Sequence, residues 1–291
     1  MGLRRVVDWA RPHVLRGAAS TLFTPRWKLS SILDSYGDAE ITVQRLPSCS
    51  AHFPEGTPFT ASTTVKTFAS CMQPSASDPL LYWSSQVLYE PPFDSLLKEF
   101  RRPCIMQDAG DFLSRWRCLR FVAPPMLRFI FYFRWLFIGP AGSYSRLHLD
   151  PAGSAAWNAC LEGRKRFVFF EPQFMHNLHI DLSNPQKERH IYPDYIKDAG
   201  ILGQPYEEFC LDPGDVMYAP PRWPHFVENL EPSVSVTENF VRSHPDQFLH
   251  FDEALASSEA SSALLPSGEK RRLKRFRNMV RMAASFDDLL T

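Results

Sequence analysis

From about Phe129 to Val241 the chain is cut into short apolar runs, FIFYFRWLFIG, YSRLHLD, AAWNACLEG, RKRFVFFEP, DVMYAP and SVSVTENFV, each bounded by turn residues. Runs of that length, rich in aromatic and β-branched residues and closely spaced, read as strands joined by turns. The pattern predicts an antiparallel sandwich or barrel, mainly β with flanking helices. With 44% of its 291 residues hydrophobic, the chain fills one substantial core, and a second full domain is a tight fit. The expected division is a helical and strand segment over 1–128 supporting the barrel, the core over 129–245, and a helical segment with a basic tail over 246–291.

The flanks are less regular. WKLSSILDSYG reads as a helix closed by Gly37, and EITVQRL as a strand. The polar stretch Glu55 to Asp78 carries an apolar alternation from Thr64 to Phe68, and PSASDP marks a turn. Leu96 to Phe100 and Phe112 to Leu119 suit short helices. The most apolar stretch, Phe121 to Pro140, holds Arg128 and Arg134, each costing about 2.5–3.5 kcal/mol inside a membrane helix; a buried strand pair is expected instead. Gln173 to Glu208 reads as loop plus a short helix at the barrel mouth. Arg4, Arg5, Arg11 and Arg16 against Asp8 resemble a transit peptide, but a surface helix is the preferred reading.

Lysine plus arginine equals aspartate plus glutamate, so whole-molecule charge points to neither nucleic acid nor membrane. A local exception is the basic tail from Lys270 to Arg281, whose KRRLKR suits a solvated helix face, a nuclear address or a contact with RNA or chromatin. Six cysteines stand singly, as expected of reduced thiols. A nuclear or cytoplasmic location is expected from these readings.

Residues at i and i+2 of a strand share a face, so His148 and Asp150 in SRLHLDP both aim into a barrel while Leu147 and Leu149 pack outward. His225, in PPRWPHFVENL, completes two histidines and a carboxylate, a set that leaves open positions on non-haem iron(II). His-x-Asp alone is unspecific: His179 with Asp181, His244 with Asp246 and His250 with Asp252 fit it too. Pro245 disfavours a strand at the second and a helical context the third; the first lies in a polar insertion. A zinc site from His176 and His179 with His190 or Cys210 has no persuasive spacing.

The residues after Asp150 single out the pair at 148. FIGPAGSYSRLHLDPAGSAAWNACLEGRKRFVFFEP, taken with LDPGDVMYAPPRWPHFVENLEPSVSVTENFV, resembles a JmjC domain, nearest the branch of the bifunctional arginine demethylase and lysyl hydroxylase (phosphatidylserine-receptor-like). The resemblance implies a double-stranded β-helix, a jelly-roll of cupin type. It implies iron(II) on His148, Asp150 and His225, and 2-oxoglutarate held by Asn158, Lys165 and Thr237, with Ser145 near the cosubstrate and Asn239 close to the iron. Lys165 pairs with the distal carboxylate, and strand register places Arg164 and Arg166 on the opposite face. The implied activity is a dioxygenase that hydroxylates a protein side chain or removes an N-methyl group from arginine or lysine, with dioxygen as cosubstrate and a protein or peptide as partner. An inactive cupin-like scaffold is the alternative. Arg146 and Pro224 depart from the family pattern, the former adding charge at the mouth, and an upstream tyrosine of the family has no evident counterpart in Val65 to Met72.

Overall fold

The structure, a computed structural model, describes residues 8–46, 60–74, 78–103, 110–173, 205–260 and 266–287. His176, His179, Asp181 and His190, with most of the expected insertion, lie outside them. In chain order the strands are β1 (His13–Leu15), β2 (Glu40–Leu46), β3 (Thr60–Thr64), β4 (Leu80–Val87), β5 (Arg134–Gly139) and β6 (Tyr144–His148). Next come β7 (Ala155–Glu162), β8 (Lys165–Phe170), β9 (Tyr206–Leu211), β10 (Val216–Ala219), β11 (His225–Asn229) and β12 (Ser233–Phe240). The larger sheet runs β1-β10-β7-β12-β5-β4-β2-β3, the smaller β6-β11-β8-β9.

Every pairing is antiparallel. The inner faces meet through Ala156, Cys160, Met217 and Ala219 of the larger sheet and Phe167, Phe169, Leu211 and Val227 of the smaller. This is the sandwich expected, with the strands of β-helix order. The larger sheet is buried on its other face as well. There Trp83, Leu136, Trp157, Val236 and Phe240 pack against Trp27, Ile32, Val65, Phe68 and Phe93 from the N-terminal region. Strands covered on both faces carry apolar residues at consecutive positions, which explains the unbroken run AAWNAC. Gly163 makes the β7–β8 turn at φ +72°, where a Cβ would lie 2.1 Å from the Pro232 carbonyl oxygen.

Among the described residues five α-helices flank the sheets: α1 (Leu29–Tyr36), α2 (Val65–Ser70), α3 (Phe112–Arg115), α4 (Pro245–Ala260) and α5 (Ser267–Phe286). Phe112, Phe248, Phe251, Leu255, Leu273, Phe276 and Val280 unite the last three in a second core. Within the basic tail, Arg277 binds Asp252 through two bonds of 3.1 Å and reaches Glu259 at 3.3 Å, and Arg281 meets Asp252 at 3.2 Å. The tail is therefore partly a packing element.

Several local expectations are corrected. Thr64 to Phe68 is not an alternating strand, because the Thr64 hydroxyl accepts the Thr67 N–H at 3.2 Å and starts α2. Phe121 to Pro140 is not a strand pair: Pro125–Tyr132 forms a 3-10 helix opened by proline, with Arg128 exposed, and only Arg134–Gly139 is a strand. The N-terminal residues described hold no surface helix, since His13–Leu15 pairs with β10. Tyr206–Glu208 of the expected insertion opens β9. Leu147, expected to pack outward, is 4% exposed and lines the cavity.

Arg134 is tolerated in its apolar run because Glu238, 3% exposed on β12, accepts from its Nε at 2.7 Å and from Arg102 Nε at 2.7 Å. Trp157 Nε1 adds a bond of 3.1 Å. Removing one member of such a cluster strands the others' charge. Glu238→Ala is expected to lower the unfolding free energy by about 3–5 kcal/mol in urea titrations. A loss under about 1 kcal/mol, the surface-pair range, would show that this cluster is not a buried one.

Candidate active site

Between the two sheets lies a cavity of about 250 Å³, and Ser145, His148, Asp150, Asn158, Lys165, His225, Thr237 and Asn239 all line it. The smaller sheet supplies Ser145 and His148 from β6, Lys165 from β8 and His225 from β11. The larger sheet supplies Asn158 from β7 and Thr237 and Asn239 from β12. On β12 the period of two turns Thr237 and Asn239 inward, and Val236, Glu238 and Phe240 outward. Asp150 sits just past β6 with extended backbone (φ −61°, ψ 143°), so it stays on the His148 side.

His148 stands opposite His225 in the β6–β11 ladder, their ring centroids 4.4 Å apart. One ligand atom from each of His148, Asp150 and His225 falls within 4.8 Å of the others, and His225 Nε2 lies 4.0 Å from Asp150 Oδ2. Both rings are oriented the same way. His148 Nδ1 lies 2.6 Å from the Arg146 carbonyl oxygen and His225 Nδ1 2.9 Å from that of Trp223. A carbonyl accepts only, so each Nδ1 carries the proton and each Nε2 lone pair faces the cavity. Burial lowers the His225 pKa to about 4, with His148 adding to the effect, so its imidazole is neutral and ready to ligate at physiological pH.

Asp150 Oδ1 accepts from Asn239 Nδ2 at 2.9 Å, while Oδ2 is buried without a hydrogen-bond partner among the described residues. An oriented carboxylate with an orphaned oxygen beside two imidazoles fits a divalent transition metal, and this mixed N and O set suits iron(II).

At the other end, Lys165 is 1% exposed and donates to Asn229 Oδ1 at 2.7 Å. Asn229 is in turn held by Ser143, which accepts from its Nδ2 at 2.8 Å. Among the described residues Lys165 meets no carboxylate, and burial lowers its pKa to about 8. Arg164 instead pairs with Asp212 and Arg166 with Glu228, both away from the cavity. Asn158 Nδ2 lies 2.6 Å from Thr237 Oγ1, and Asn158 Oδ1 is buried without a partner. Whichever way the amide is assigned, one of its polar atoms is left for a ligand. Ammonium, hydroxyl and amide at this depth suit a carboxylate.

Tyr82 on β4 also lines the cavity, its hydroxyl 3.5 Å from Ser145 Oγ, and burial pushes its pKa up to about 12, so it stays a donor. It lies outside the Val65 to Met72 stretch in which a cavity tyrosine was sought. The signal was the apolar run LLYW after Pro79, which reads as a strand. Asn229, likewise unforeseen, is two strand positions beyond Val227 and so shares the inward face of His225. Neither rival pair within the described residues gathers a third ligand: His244 sits beside Asp246 and His250 beside Glu253 at the surface, and Asp252 belongs to Arg277.

Fold and site together define a cupin-type jelly-roll with a two-histidine, one-carboxylate cluster. The family model for the cupin-like domain matches residues 2–246, so the chain belongs to the cupin-like domain family, in its JmjC branch. It is 28% identical over 260 residues to lysine-specific demethylase JMJ21 of Arabidopsis thaliana, covering 85% of this chain and 25% of that protein. It is 32% identical over 117 residues to the 2-oxoglutarate and iron-dependent oxygenase JMJD4 of Gallus gallus, 38% of this chain and 26% of that one. Against the bifunctional arginine demethylase and lysyl-hydroxylase psr-1 of Caenorhabditis elegans the identity is 32% over 116 residues, 37% of this chain and 29% of psr-1. The chain thus spans between 25% and 29% of the length of these relatives. Among the described residues no helix is long and apolar enough to cross a membrane.

The Asn239 amide fixes Asp150 from outside the ligand set. Asn239→Ala is expected to weaken iron(II) or manganese(II) binding by roughly 10–100-fold, and Asp150→Ala to abolish it, in anaerobic metal titrations. Unchanged affinity in Asn239→Ala would mean that Asp150 needs no such support.

Proposed function

We propose that the chain is an iron(II)- and 2-oxoglutarate-dependent dioxygenase acting on a protein side chain. The observation that carries this reading is the pairing, in one cavity, of a converged His148, Asp150 and His225 with a buried Lys165 that has no carboxylate partner among the described residues. Ferrous iron and 2-oxoglutarate would let dioxygen convert a substrate C–H to C–OH as the cosubstrate leaves as succinate and carbon dioxide. Hydroxylation is the direct outcome. Where the carbon is an N-methyl group, the N-hydroxymethyl product loses formaldehyde and the result is demethylation.

The protein's part is positioning and exclusion of water. Lys165 and Thr237 would hold the distal carboxylate of 2-oxoglutarate, with Asn158 and the protonated Tyr82 as further donors. Ala156, Phe167, Met217 and Val227 line the cavity with apolar surface. A scaffold that performs no oxidation has no need for a buried ammonium whose desolvation only an anion offsets. Contact with RNA or chromatin, if made by α5, falls to Arg271, Lys274 and Arg275, which are exposed, because Arg277 is held by Asp252 and Glu259.

Two measurements test the reading. Purified protein with iron(II) should form succinate from 2-oxoglutarate, and Asp150→Ala should reduce it to background; equal traces would remove the oxygenase assignment. The affinity for 2-oxoglutarate should also depend on pH with a definite sign. In the free protein Lys165 is protonated below its pKa of about 8 and neutral above it, whereas a bound dicarboxylate requires the ammonium. Binding measured by calorimetry should be flat below this value and weaken by roughly tenfold per pH unit above it. Lys165→Met should bind weakly and lose that dependence.

A further inference from the structure

A second cavity, of about 490 Å³, shares no described lining residue with the first. It is bounded by the segment before β1, the end of β8, the β10–β11 loop, the residue that follows β12 by two positions and the first turns of α4. Its apolar wall is Trp9, Pro172, Pro220, Pro221 and Trp223. Each proline fixes its own φ, and the Pro224 carbonyl oxygen accepts the Phe170 N–H at 2.9 Å, which ties the loop to β8. A wall with so little backbone freedom is formed before a ligand arrives.

Two polar groups of the lining lack partners that their chemistry requires. Gln247, 6% exposed on α4, donates from Nε2 to the Trp9 carbonyl oxygen at 2.8 Å and to the Tyr218 hydroxyl at 2.9 Å. A carbonyl accepts only, so the nitrogen is fixed there, and Oε1 is the atom left buried without a hydrogen-bond partner among the described residues. Arg242 lies over the same Trp9, its guanidinium carbon 4.9 Å from the ring centroid, and within electrostatic reach of the same Tyr218. Its Nε is likewise buried and unbonded, and burial lowers its pKa from the ordinary guanidinium value. The other arginine of the lining, Arg222, is already paired with Glu253 at 3.2 Å. Asp246 is exposed, 3.4 Å from His244, and acts on Arg242 only from a distance.

Arg242 calls for an acceptor and suits a carboxylate, which a guanidinium binds through two parallel N–H bonds. A carboxylate has no hydrogen to give, so Gln247 Oε1 needs an N–H elsewhere on the same ligand. Because Trp9 and Tyr218 hold Arg242 and Gln247 side by side, those two ligand groups are near neighbours. A carboxylate with an N–H one carbon away is the end of a polypeptide chain. We propose that this second cavity binds the C-terminal residues of a peptide, with the terminal carboxylate on Arg242, the last amide N–H on Gln247 and the final side chains against Trp9, Pro220 and Trp223. A free amino acid carries the same two groups, but a single residue leaves much of the 490 Å³ unfilled. The site is independent of the oxygenase reading, since none of His148, Asp150 and His225 enters it.

The test uses the whole protein and fluorescent peptides of randomised sequence, made with a free C-terminal carboxylate, with a C-terminal carboxamide, or with a free carboxylate and the last amide N-methylated. Fluorescence polarisation should show the free carboxylates binding roughly tenfold tighter than the carboxamides, and N-methylation should cost a factor of roughly three to ten. Raised salt should shrink the first difference. Arg242→Gln should erase the preference for a carboxylate, while a cooperative thermal transition shows the variant to be folded. Arg242→Lys keeps a cation over Trp9 without the paired N–H geometry; it should retain part of the preference, and it serves in place of the glutamine variant if that one does not fold. Equal affinities for carboxylate and carboxamide, or a preference undiminished by either substitution, would overturn the proposal. Free amino acids that displace the peptides at equal concentration would overturn the assignment to a chain end.

Discussion

The buried ammonium of Lys165 is the constraint around which the cavity is arranged. Stripping water from a charged amine costs several kcal/mol, and one neutral amide oxygen, Asn229 Oδ1, offsets only part of that. The lowered pKa is the sign of the imbalance. An anion between the sheets would restore it, and the neighbouring chain is shaped to keep that place narrow. Gly139 shows how tightly: a Cβ there would lie 2.3 Å from Ser143 Oγ, 2.6 Å from the Tyr82 ring and 2.8 Å from Asn229 Nδ2. The residue is small because the chain that holds the lysine's partner passes directly over it.

The site's precision comes from the far face of the same strands. β12 turns Thr237 and Asn239 to the cavity and Glu238 away from it, so the two arginines on Glu238 fix the strand that carries the inward pair. Arg102 comes from the segment before β5, and Asp111 accepts from its Nη2 at 2.9 Å. β7 is clamped similarly, with Asn158 inward and Trp157 outward, the latter donating to Glu238. N-terminal strands β2, β3 and β4 extend the sheet, and β4 brings Tyr82 into the cavity lining. The N-terminal region is thus structurally continuous with the strands that bear the ligands, in keeping with a family match that begins at residue 2.

The features legible in the sequence were those that period two dictates. Alternation put His148 and Asp150 on one face, the family resemblance pointed to Lys165 and Asn239, and the neighbours Arg164 and Arg166 point the other way as register requires. Features set by long-range contact escaped reading. Nothing local to LLYWSSQV says that its tyrosine meets Ser145, and nothing local to FVENL says that its asparagine meets Lys165. The bulges in β4 and β6, where the register to β5 and β11 shifts, were equally hidden, because an extra residue is defined only against the partner strand. Helix α2 was lost to an apolar alternation that the Thr64 cap overrode. The 3-10 helix over Pro125–Tyr132 was mistaken for a strand because a short apolar run has no period to distinguish the two.

Regular and irregular backbone divide the labour of the site. The Lys165 end is built on strands in unbroken antiparallel register near Asn158, Lys165 and Thr237, where a one-residue slip would turn every side chain to the wrong face. The mouth is built on the two bulged strands, β4 and the edge strand β6. A bulge absorbs an inserted or exchanged residue locally, re-aiming one or two side chains without moving the ladder beyond. Mutation can therefore alter what the mouth recognises while leaving the Lys165 end intact. That separation gives a physical reason for related chains to share a ligand set and still differ in the side chains their names specify.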